Sequence, residues 1–362
     1  MLTFKEWPWK PNPDYTRTMK ALLREGDAHF VPLMEFGIDP EITVAILEES
    51  TLPESDDLEW KHHALDQKIR LFHQLGYDVL CQGPELPLPG LLRLEASDTA
   101  LFTRETRQWA DEKSGAITNW EEFERYPWPD SRDAQYEPLE YLAQHLPDGM
   151  AMIAGVTGIF EPLMYLMGLE TLALSLYDNP ELVQAICDKI RELFLPVARN
   201  LVEMDRVIGL TTSDDMGHKT GTLIDPLFLR KYVFPYHKVL AAHAHARDLP
   251  FILHSCGRLD SILEDLIEEV GIDAIHSFQD VITPVEIFSE RYSDRVAVVG
   301  GLDVDLLARG SEEAIRTRTR QILEACAPSR AYISGSGNSI TNYIPVQNYL
   351  VMVDETWRFN HL

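Results

Sequence analysis

The residues best suited to chemistry in this sequence are a histidine and a cysteine two positions apart. His254 and Cys256 close the apolar run that begins at Phe251. Side chains at positions i and i+2 of a strand share a face, and an imidazole with a thiolate is a ligand pair that suits Zn²⁺. Two ligands do not complete a site, so a second interpretation stays open. In it, Cys256 packs as a small buried hydrophobe and His254 forms local hydrogen bonds.

Two adjacent carboxylates form the second candidate. Asp214 and Asp215 directly follow the apolar run 207–213. Neighbouring residues of a strand point to opposite faces, so at most one of the pair faces a pocket directly unless the backbone turns there. That carboxylate would serve as a general base, a cation anchor or a metal ligand. The alternative is a solvated loop in which an aspartate caps the following turn.

These candidates belong to a repeated pattern of short apolar runs, each followed by a segment with helical spacing. We count eight runs, at residues 29–36, 77–81, 150–155, 207–213, 250–254, 273–277, 295–300 and 330–335. Alternation of strands and helices implies a parallel sheet, and eight such units favour an α/β fold of the (β/α)8 TIM barrel type. No G-x-G-x-x-G motif follows the first run to indicate a dinucleotide-binding sheet. In a barrel, the residues that follow each strand converge on one pocket.

One stretch departs from the alternation of strands and helices. Residues 92–117 alternate polar and apolar types and break at Asp111–Gly115, a pattern typical of a hairpin turn. We therefore predict that residues 86–146 form an insertion after the second strand, which lies over the pocket as a lid. Three tryptophans fall in this insertion: Trp109, Trp120 and Trp128. No repeat or long linker divides the rest, so residues 1–362 are predicted to form a single barrel domain.

Composition and charge narrow the functional classes. The chain has 362 residues, of which 45% are hydrophobic and 25% charged, as in an ordinary globular protein. Its net charge of −26 repels phosphate backbones and anionic membranes, so neither nucleic acid nor a membrane is an expected partner. The four cysteines are too few for a disulfide framework, which favours a reducing, cytoplasmic location. No targeting or membrane-spanning segment is visible, and a homodimer is one candidate for the oligomeric state.

Several motifs resemble those of the uroporphyrinogen decarboxylase superfamily. In chain order they are Asp214-Asp-Met-Gly217, Ile252-Leu-His-Ser-Cys-Gly257, Gly271-Ile-Asp-Ala-Ile-His276 with Gln279, Gly300-Gly-Leu-Asp303, and Gly337-Asn-Ser-Ile340 followed by Pro345 and Asn348. The resemblance covers the chain well from Pro180 onward and residues 30–126 more loosely. It implies a (β/α)8 barrel, in agreement with the count of apolar runs. That superfamily includes zinc-dependent methylcobalamin:coenzyme M methyltransferases and the corrinoid-linked methyltransferases of demethylation pathways.

Two departures indicate which branch the chain is similar to. True uroporphyrinogen decarboxylases carry an arginine-rich motif near the N-terminus, whereas residues 30–46 contain no arginine. A polycarboxylate porphyrinogen would therefore meet no cationic clamp. The methyltransferases resemble this chain in the His-x-Cys pair, but Asn338 stands where they have a third zinc ligand, a cysteine. A zinc site would need a carboxylate such as Glu35 or Asp215 instead, or would bind the metal more weakly.

The resemblance implies a methyltransferase that moves a methyl group between a small ether, thiol or amine and a cobalamin or corrinoid on a partner protein. In this hypothesis Asp215 and His254 have catalytic roles, and His254 and Cys256 bind zinc. Other polar residues that follow the predicted strands, at the rim where a barrel places its pocket, are predicted to bind the substrate: Glu35, Asp214, His276, Gln279, Asp303 and Asn338. The second hypothesis is a cofactor-free decarboxylase (lyase), in which Asp215 assists a carbanion and Cys256 is structural. A non-enzymatic binding protein is the third hypothesis, and it leaves the polar residues at the strand ends without a use.

Overall fold

The computed structural model describes residues 2–49, 57–91, 93–98, 100, 106–110 and 115–362. Within these ranges the strands are β1 Val79–Gln82, β2 Arg93–Ser97, β3 Thr106–Ala110, β4 Ala151–Thr157, β5 Val207–Ser213, β6 Gly217–His218, β7 Gly221–Thr222, β8 Phe251–His254, β9 Ala274–His276, β10 Ala297–Val299 and β11 Tyr332–Ile333. Seven of them form one curled parallel sheet in the order β1-β4-β5-β8-β9-β10-β11. These seven are the second to eighth of the predicted apolar runs.

Helices separate nearly all the strands of this sheet, as the alternation predicted. They are α1 Tyr15–Leu22, α2 Pro40–Leu47, α3 Leu58–Leu75, α4 Trp120–Arg125, α5 Glu137–His145, α6 Phe160–Met167, α7 Leu169–Asp178, α8 Pro180–Leu201, α9 Pro226–Phe228, α10 Phe234–His245, α11 Val285–Tyr292, α12 Val304–Arg309, α13 Glu312–Cys326 and α14 Val346–Asn360. Two π-helical turns, Leu229–Val233 and Asp265–Val270, and two short 3-10 turns, Ser131–Asp133 and Ala327–Ser329, complete the helical segments. Among the described residues, no helix combines the length and apolar character needed to cross a bilayer.

The first predicted strand, residues 29–36, pairs with the sheet only at an isolated parallel bridge. Leu33 is bridged to Ser334, just beyond β11. The Met34 N–H donates to the Ser334 carbonyl at 2.9 Å, and the Ser334 N–H donates to the Pro32 carbonyl at 2.8 Å. Because Pro32 has no N–H to donate, the pairing does not extend into a ladder. The curled sheet is nevertheless continued past β11 by this segment, an arrangement consistent with a TIM-barrel-like fold.

A small apolar core fills the inside of the curled sheet. Its members come from all seven strands and from the first segment: Met34, Val79, Cys81, Ala151, Ile153, Ile208, Ile252, Ala274, Ala297, Val299, Ala331 and Ile333, with Ala21 and Leu22 of α1. Alternate strand residues point inward, so each strand contributes one or two side chains. A much larger apolar cluster lies between the sheet and the helices. The carboxyl ends of the parallel strands lie along one edge of the curled sheet, and the predicted site residues follow the strands at this edge.

Two antiparallel strands lie within the stretch that was predicted to form a hairpin. β2 and β3 pair with each other, with Ser97 opposite Thr106. Of the predicted turn at Asp111–Gly115, residues Asp111–Ser114 lie outside the described residues, so the position of that turn stays a prediction.

Candidate metal centre

Three of the predicted residues meet beyond the carboxyl ends of β5 and β8. The distance from His254 Nε2 to Asp215 Oδ1 is 3.6 Å, and the distance from the same nitrogen to Cys256 Sγ is also 3.6 Å. One donor atom from each of the three residues lies within 4.8 Å of the others. We call Asp215, His254 and Cys256 the ligand layer.

The donor atoms of the ligand layer fit a zinc ion. Tetrahedral Zn²⁺ with bonds of about 2.0–2.3 Å has donor-to-donor edges of about 3.3–3.8 Å. The two measured distances from His254 Nε2 match these edges. One sulfur, one nitrogen and one oxygen donor form a set that zinc accepts, and three protein ligands leave a fourth position open, as in catalytic zinc sites. The ligand layer could therefore hold a metal ion.

Hydrogen bonds orient the carboxylate and the thiol. The Cys256 N–H donates to Asp215 Oδ1 at 2.7 Å. Asn338 Nδ2 donates to Cys256 Sγ at 3.2 Å, so this amide approaches the thiol through its nitrogen. Burial, assisted by the neighbouring Asp215 carboxylate, raises the pKa of the Cys256 thiol to about 12. The thiol keeps its proton until a cation binds and holds the thiolate.

A pair of histidines determines which nitrogen of His254 is free. The Ser336 carbonyl lies 3.1 Å from His276 Nε2; a carbonyl can only accept, so Nε2 carries the proton. Burial lowers the pKa of His276 well below its ordinary value, which keeps the ring neutral and leaves Nδ1 as an acceptor. His254 Nδ1, 2.7 Å away, is then the donor. The lone pair of His254 Nε2 therefore faces the ligand layer, as metal binding requires.

The histidine pair depends in turn on Glu35 and Gly300. Glu35 is 1% exposed and accepts hydrogen bonds from the Ser336 N–H at 2.8 Å and from Ser336 Oγ at 2.6 Å. These two hydrogen bonds hold Ser336 in place, and the Ser336 carbonyl in turn orients His276. Gly300 has φ +77°, and a Cβ there would lie 2.2 Å from the Ser336 carbonyl oxygen and 2.9 Å from His276 Nε2. Only glycine leaves room for this contact.

Asp214 points away from its neighbour and serves the scaffold. It is fully buried and accepts the backbone N–H groups of residues 159–161, at the start of α6, at 2.8–3.0 Å. His237 Nε2 lies 2.8 Å from the same carboxylate. We call the buried hydrogen-bonded residues behind the ligand layer the support layer: Glu35, Asp214, His237, His276 and Ser336. The two adjacent aspartates thus face opposite ways, as the strand geometry predicted.

Glu161 is a site residue that the sequence analysis missed. Its carboxyl accepts a hydrogen bond from Tyr165 Oη at 2.8 Å, and the backbone N–H of Asp215 is also a partner. Burial, with the charges of Asp214 and Asp215, raises the pKa of Glu161 to about 8. Glu161 lies four residues after the end of β4 at Thr157. The predicted run ends at Gly155, so Glu161 is not among the residues that directly follow it.

Glu161 and Tyr165 line a cavity of about 440 Å³. Its walls include Leu86, Leu88 and Leu91, from the segment that was predicted to form a lid. A cavity of this size is in the range of small-molecule sites, about 300–1,000 Å³. This apolar cavity adjoins the ligand layer through the contact between Glu161 and Asp215.

The remaining predicted substrate residues border a different and wider cleft. Gln279, Asp303 and Asn338 all line a cleft of about 1190 Å³ beyond β9, β10 and β11. Asp303 also caps α12, since it accepts the Asp305 N–H at 2.8 Å, and it accepts the Asp280 N–H at 2.9 Å. Asn338 connects the cleft to the thiol of the ligand layer. Two separate spaces therefore open toward the candidate metal centre.

Comparison with known proteins assigns the chain to a family. The profile of the uroporphyrinogen decarboxylase (URO-D) family matches residues 113–359. A uroporphyrinogen decarboxylase from Anaeromyxobacter dehalogenans (strain 2CP-C) is 26% identical over 242 residues, which are 65% of this chain and 66% of that protein. A methyltransferase from Methanosarcina mazei has a similar fold, with a TM-score of 0.67 and 16% identity over 95% of this chain and 98% of that one. The chain belongs to the uroporphyrinogen decarboxylase (URO-D) family.

Proposed function

We propose that this protein is a corrinoid-linked methyltransferase, which moves a methyl group between a small methylated ether, thiol or amine and a cobalamin or corrinoid protein. One observation carries the proposal: a thiol, an imidazole and a carboxylate converge at the carboxyl edge of the sheet with the His254 Nε2 lone pair directed at the other two. Such a centre activates a heteroatom, which methyl transfer to or from oxygen, sulfur or nitrogen requires.

Zinc is the metal we propose for Asp215, His254 and Cys256. Bound there, Zn²⁺ would lower the pKa of a thiol, phenol or amine at its fourth position, so that the reactive or leaving form is available near neutral pH. The chain's own part is to present three donors in fixed positions. The histidine pair selects the tautomer of His254, and the Cys256 N–H holds the Asp215 carboxylate in place.

The apolar cavity suits the methylated substrate. Leucine side chains of residues 86–91 would contact its carbon skeleton, while Glu161 sits between the cavity and the ligand layer. From this position the Glu161 carboxyl can exchange a proton with the reacting heteroatom. We further propose that residues 86–146 act as the lid of a (β/α)8 barrel that forms one domain over residues 1–362. Trp120 and Trp128 belong to this lid, and Trp109 lies where side chains are not described.

The wide cleft suits the corrinoid side of the reaction. A methyl group can pass only if cobalt comes close to the activated atom, and a corrin ring needs a broad opening. The cleft of about 1190 Å³ reaches Asn338, whose amide contacts the Cys256 thiol. The corrinoid would therefore approach from the side of β9 to β11, and the small substrate from the side of β1 and β4.

A cofactor-free decarboxylase is the alternative, and one observation favours it. The Glu161 carboxyl lies in an apolar cavity with Tyr165 as its hydrogen-bond partner, so it could protonate a carbanion without any metal. A porphyrinogen is a poor substrate for such a reaction here, because residues 30–46 offer no arginine to its carboxylates.

The decisive experiment is a methyl-transfer assay with the purified chain. Methoxylated aromatics, methylthiols and methylamines are incubated with cob(I)alamin, and formation of methylcobalamin is followed by absorbance. We expect turnover with at least one class and a large loss of kcat in His254→Ala, because the activated atom is bound most tightly in the transition state. His29→Ala, at an exposed histidine, is the control and should keep full activity. Release of carbon dioxide from a carboxylated substrate with no corrinoid present would instead establish the lyase.

A further inference from the structure

A second cavity at the same edge of the sheet contains a lysine. The cavity measures about 320 Å³ and lies between residues 36–43, α3 and the end of β1. Its walls are mostly apolar, with Phe36, Trp60 and Phe72 among them. Lys68 of α3 and Gln82 of β1 belong to the polar part of the lining, which also contains Thr43, Lys61, Gln67 and Glu85. The cavity thus combines an apolar body with a cation.

Lys68 is a cation without a carboxylate partner among the described residues. Its Nζ donates to the Cys81 carbonyl at 2.7 Å and to Gln82 Oε1 at 2.9 Å, and both acceptors are neutral. An ammonium has three protons, so one donor remains. Glu85, the carboxylate in the cavity lining, is paired with Lys61 at 3.0 Å. A lysine left in this state is unusual in a protein with a net charge of −26.

Burial lowers the pKa of Lys68 to about 8, so the amine is still mostly protonated at neutral pH. Lys68 is only partly exposed to solvent. A charge in such a place without a counter-ion is costly, and a bound anion would reduce that cost. The Gln82 amide is neutral and cannot balance the charge of Lys68. Its Oε1 accepts from Lys68, and its Nε2 donates to the Gly83 carbonyl at 3.0 Å.

We propose that this cavity binds a small monoanion with an apolar body, such as a carboxylic acid, with Lys68 as its counter-ion. The aromatic and aliphatic walls contact the body, and the free N–H of the ammonium donates to the acid group. Phe36 lines this cavity and also stacks on His276, with ring centroids 4.4 Å apart. The bound acid is therefore separated from the histidine pair by one aromatic ring. This inference concerns binding alone and does not depend on methyl transfer.

Isothermal titration calorimetry of the full chain tests the site with benzoate and cyclohexanecarboxylate as the probes and benzamide as the neutral analogue. We expect saturable binding of at least one acid with one site per chain. Benzamide should bind at least about tenfold more weakly than benzoate, since a charge-assisted hydrogen bond is lost. Lys68→Met should weaken acid binding by about tenfold or more. Lys189→Met is the matched control, because Lys189 lies on the surface of α8 and is paired with Glu192. This variant should bind the acid with the same affinity as the unmodified protein.

Gln82→Glu provides a second, independent variant in case Lys68→Met fails to fold. The new carboxylate would replace the Gln82 amide beside the ammonium and act as its counter-ion, so acid binding should again fall by about tenfold while the far-ultraviolet circular dichroism is unchanged. Equal affinity for benzoate and benzamide, unchanged acid binding in either variant, or no saturable binding of either acid would overturn the proposal. None of these results bears on the cobalamin assay.

Discussion

The ligand layer and the support layer contain the same kinds of side chain but differ in how far their lone pairs are used. Asp214, in the support layer, accepts three backbone N–H groups and faces His237. Asp215, one residue later, is half-buried and accepts one N–H on Oδ1, from Cys256. The histidines divide in the same way, since His276 uses both ring nitrogens in hydrogen bonds, whereas Nε2 of His254 contacts only the other two members of the ligand layer. Lone pairs that face only other candidate ligands, rather than residue type, distinguish a candidate metal ligand from a structural residue.

The largest effect is expected for Cys256→Ala, which removes a member of the ligand layer. Removing the sulfur donor leaves two ligands, so we expect near-stoichiometric zinc in the purified protein to fall almost to zero. Elemental analysis measures the zinc. Cys326→Ala, at a buried cysteine that ends α13, is the control and should keep its zinc. Equal zinc in both variants would remove the metal from the ligand layer.

The next largest effect should separate the adjacent aspartates by stability. Asp214→Asn removes a buried charge that anchors the start of α6, and we expect the free energy of unfolding to drop by about 3–5 kcal/mol. Compared in the metal-free proteins, Asp215→Asn should cost less than about 1 kcal/mol, because the side chain is half-buried. The same substitution should abolish zinc binding. Urea unfolding followed by circular dichroism compares the two. The opposite order of stabilities would contradict the division into layers.

Glu35 gives the support layer a dependence on pH. Burial raises its pKa to about 8 from an ordinary value of 4.5. Between these values the unfolded carboxyl is ionised while the folded one keeps its proton, so stability falls as pH rises and stops falling above the folded pKa. In Glu35→Gln this loss is absent, and the decrease in unfolding free energy from about pH 5 to pH 8 should be smaller by about 3–4 kcal/mol. Urea titrations at several pH values measure the difference, and parallel pH profiles would show that Glu35 is not protonated in the folded protein.

The smallest effect should appear at His276, which acts on the metal only through His254. His276→Ala removes the acceptor that fixes the tautomer, and we expect zinc affinity to fall by about 10–100-fold while the ligands themselves remain. His276→Asn keeps an acceptor and a donor and should recover part of the affinity. Competition with a chromophoric chelator measures both variants. A purely packing role for His276 would leave the two substitutions alike.

Much of this arrangement could be predicted from the sequence because the strands are short, apolar and rich in β-branched residues. All seven strands of the sheet coincide with predicted runs, and the rule that strand ends converge brought Asp215, His254 and Cys256 together before any contact was known. Asn338 was also placed at this edge, and its amide contacts the Cys256 thiol. Local pattern was enough wherever a residue directly follows a strand.

The rule that residues directly after the strands converge does not identify side chains that reach the site from helices. Glu161 enters through the start of α6 and Lys68 through the middle of α3, and only packing determines that these side chains point to the carboxyl edge. The same limit applies to Asp214, whose role depends on N–H groups more than fifty residues away in the chain. The strand pattern predicted that the two aspartates face apart, but it carried no information about which one met a helix.

The π-helical turn Leu229–Val233 sets the phase of α10. A π turn accommodates about one residue more than an α-helical turn, and each residue rotates a helix by about 100°. His237 follows this turn by four positions and contacts Asp214 because of the phase that the turn provides. Loss of one residue from the turn would carry His237 away from the carboxylate even if every remaining side chain were kept. This part of the chain should therefore tolerate changes of composition more readily than changes of length.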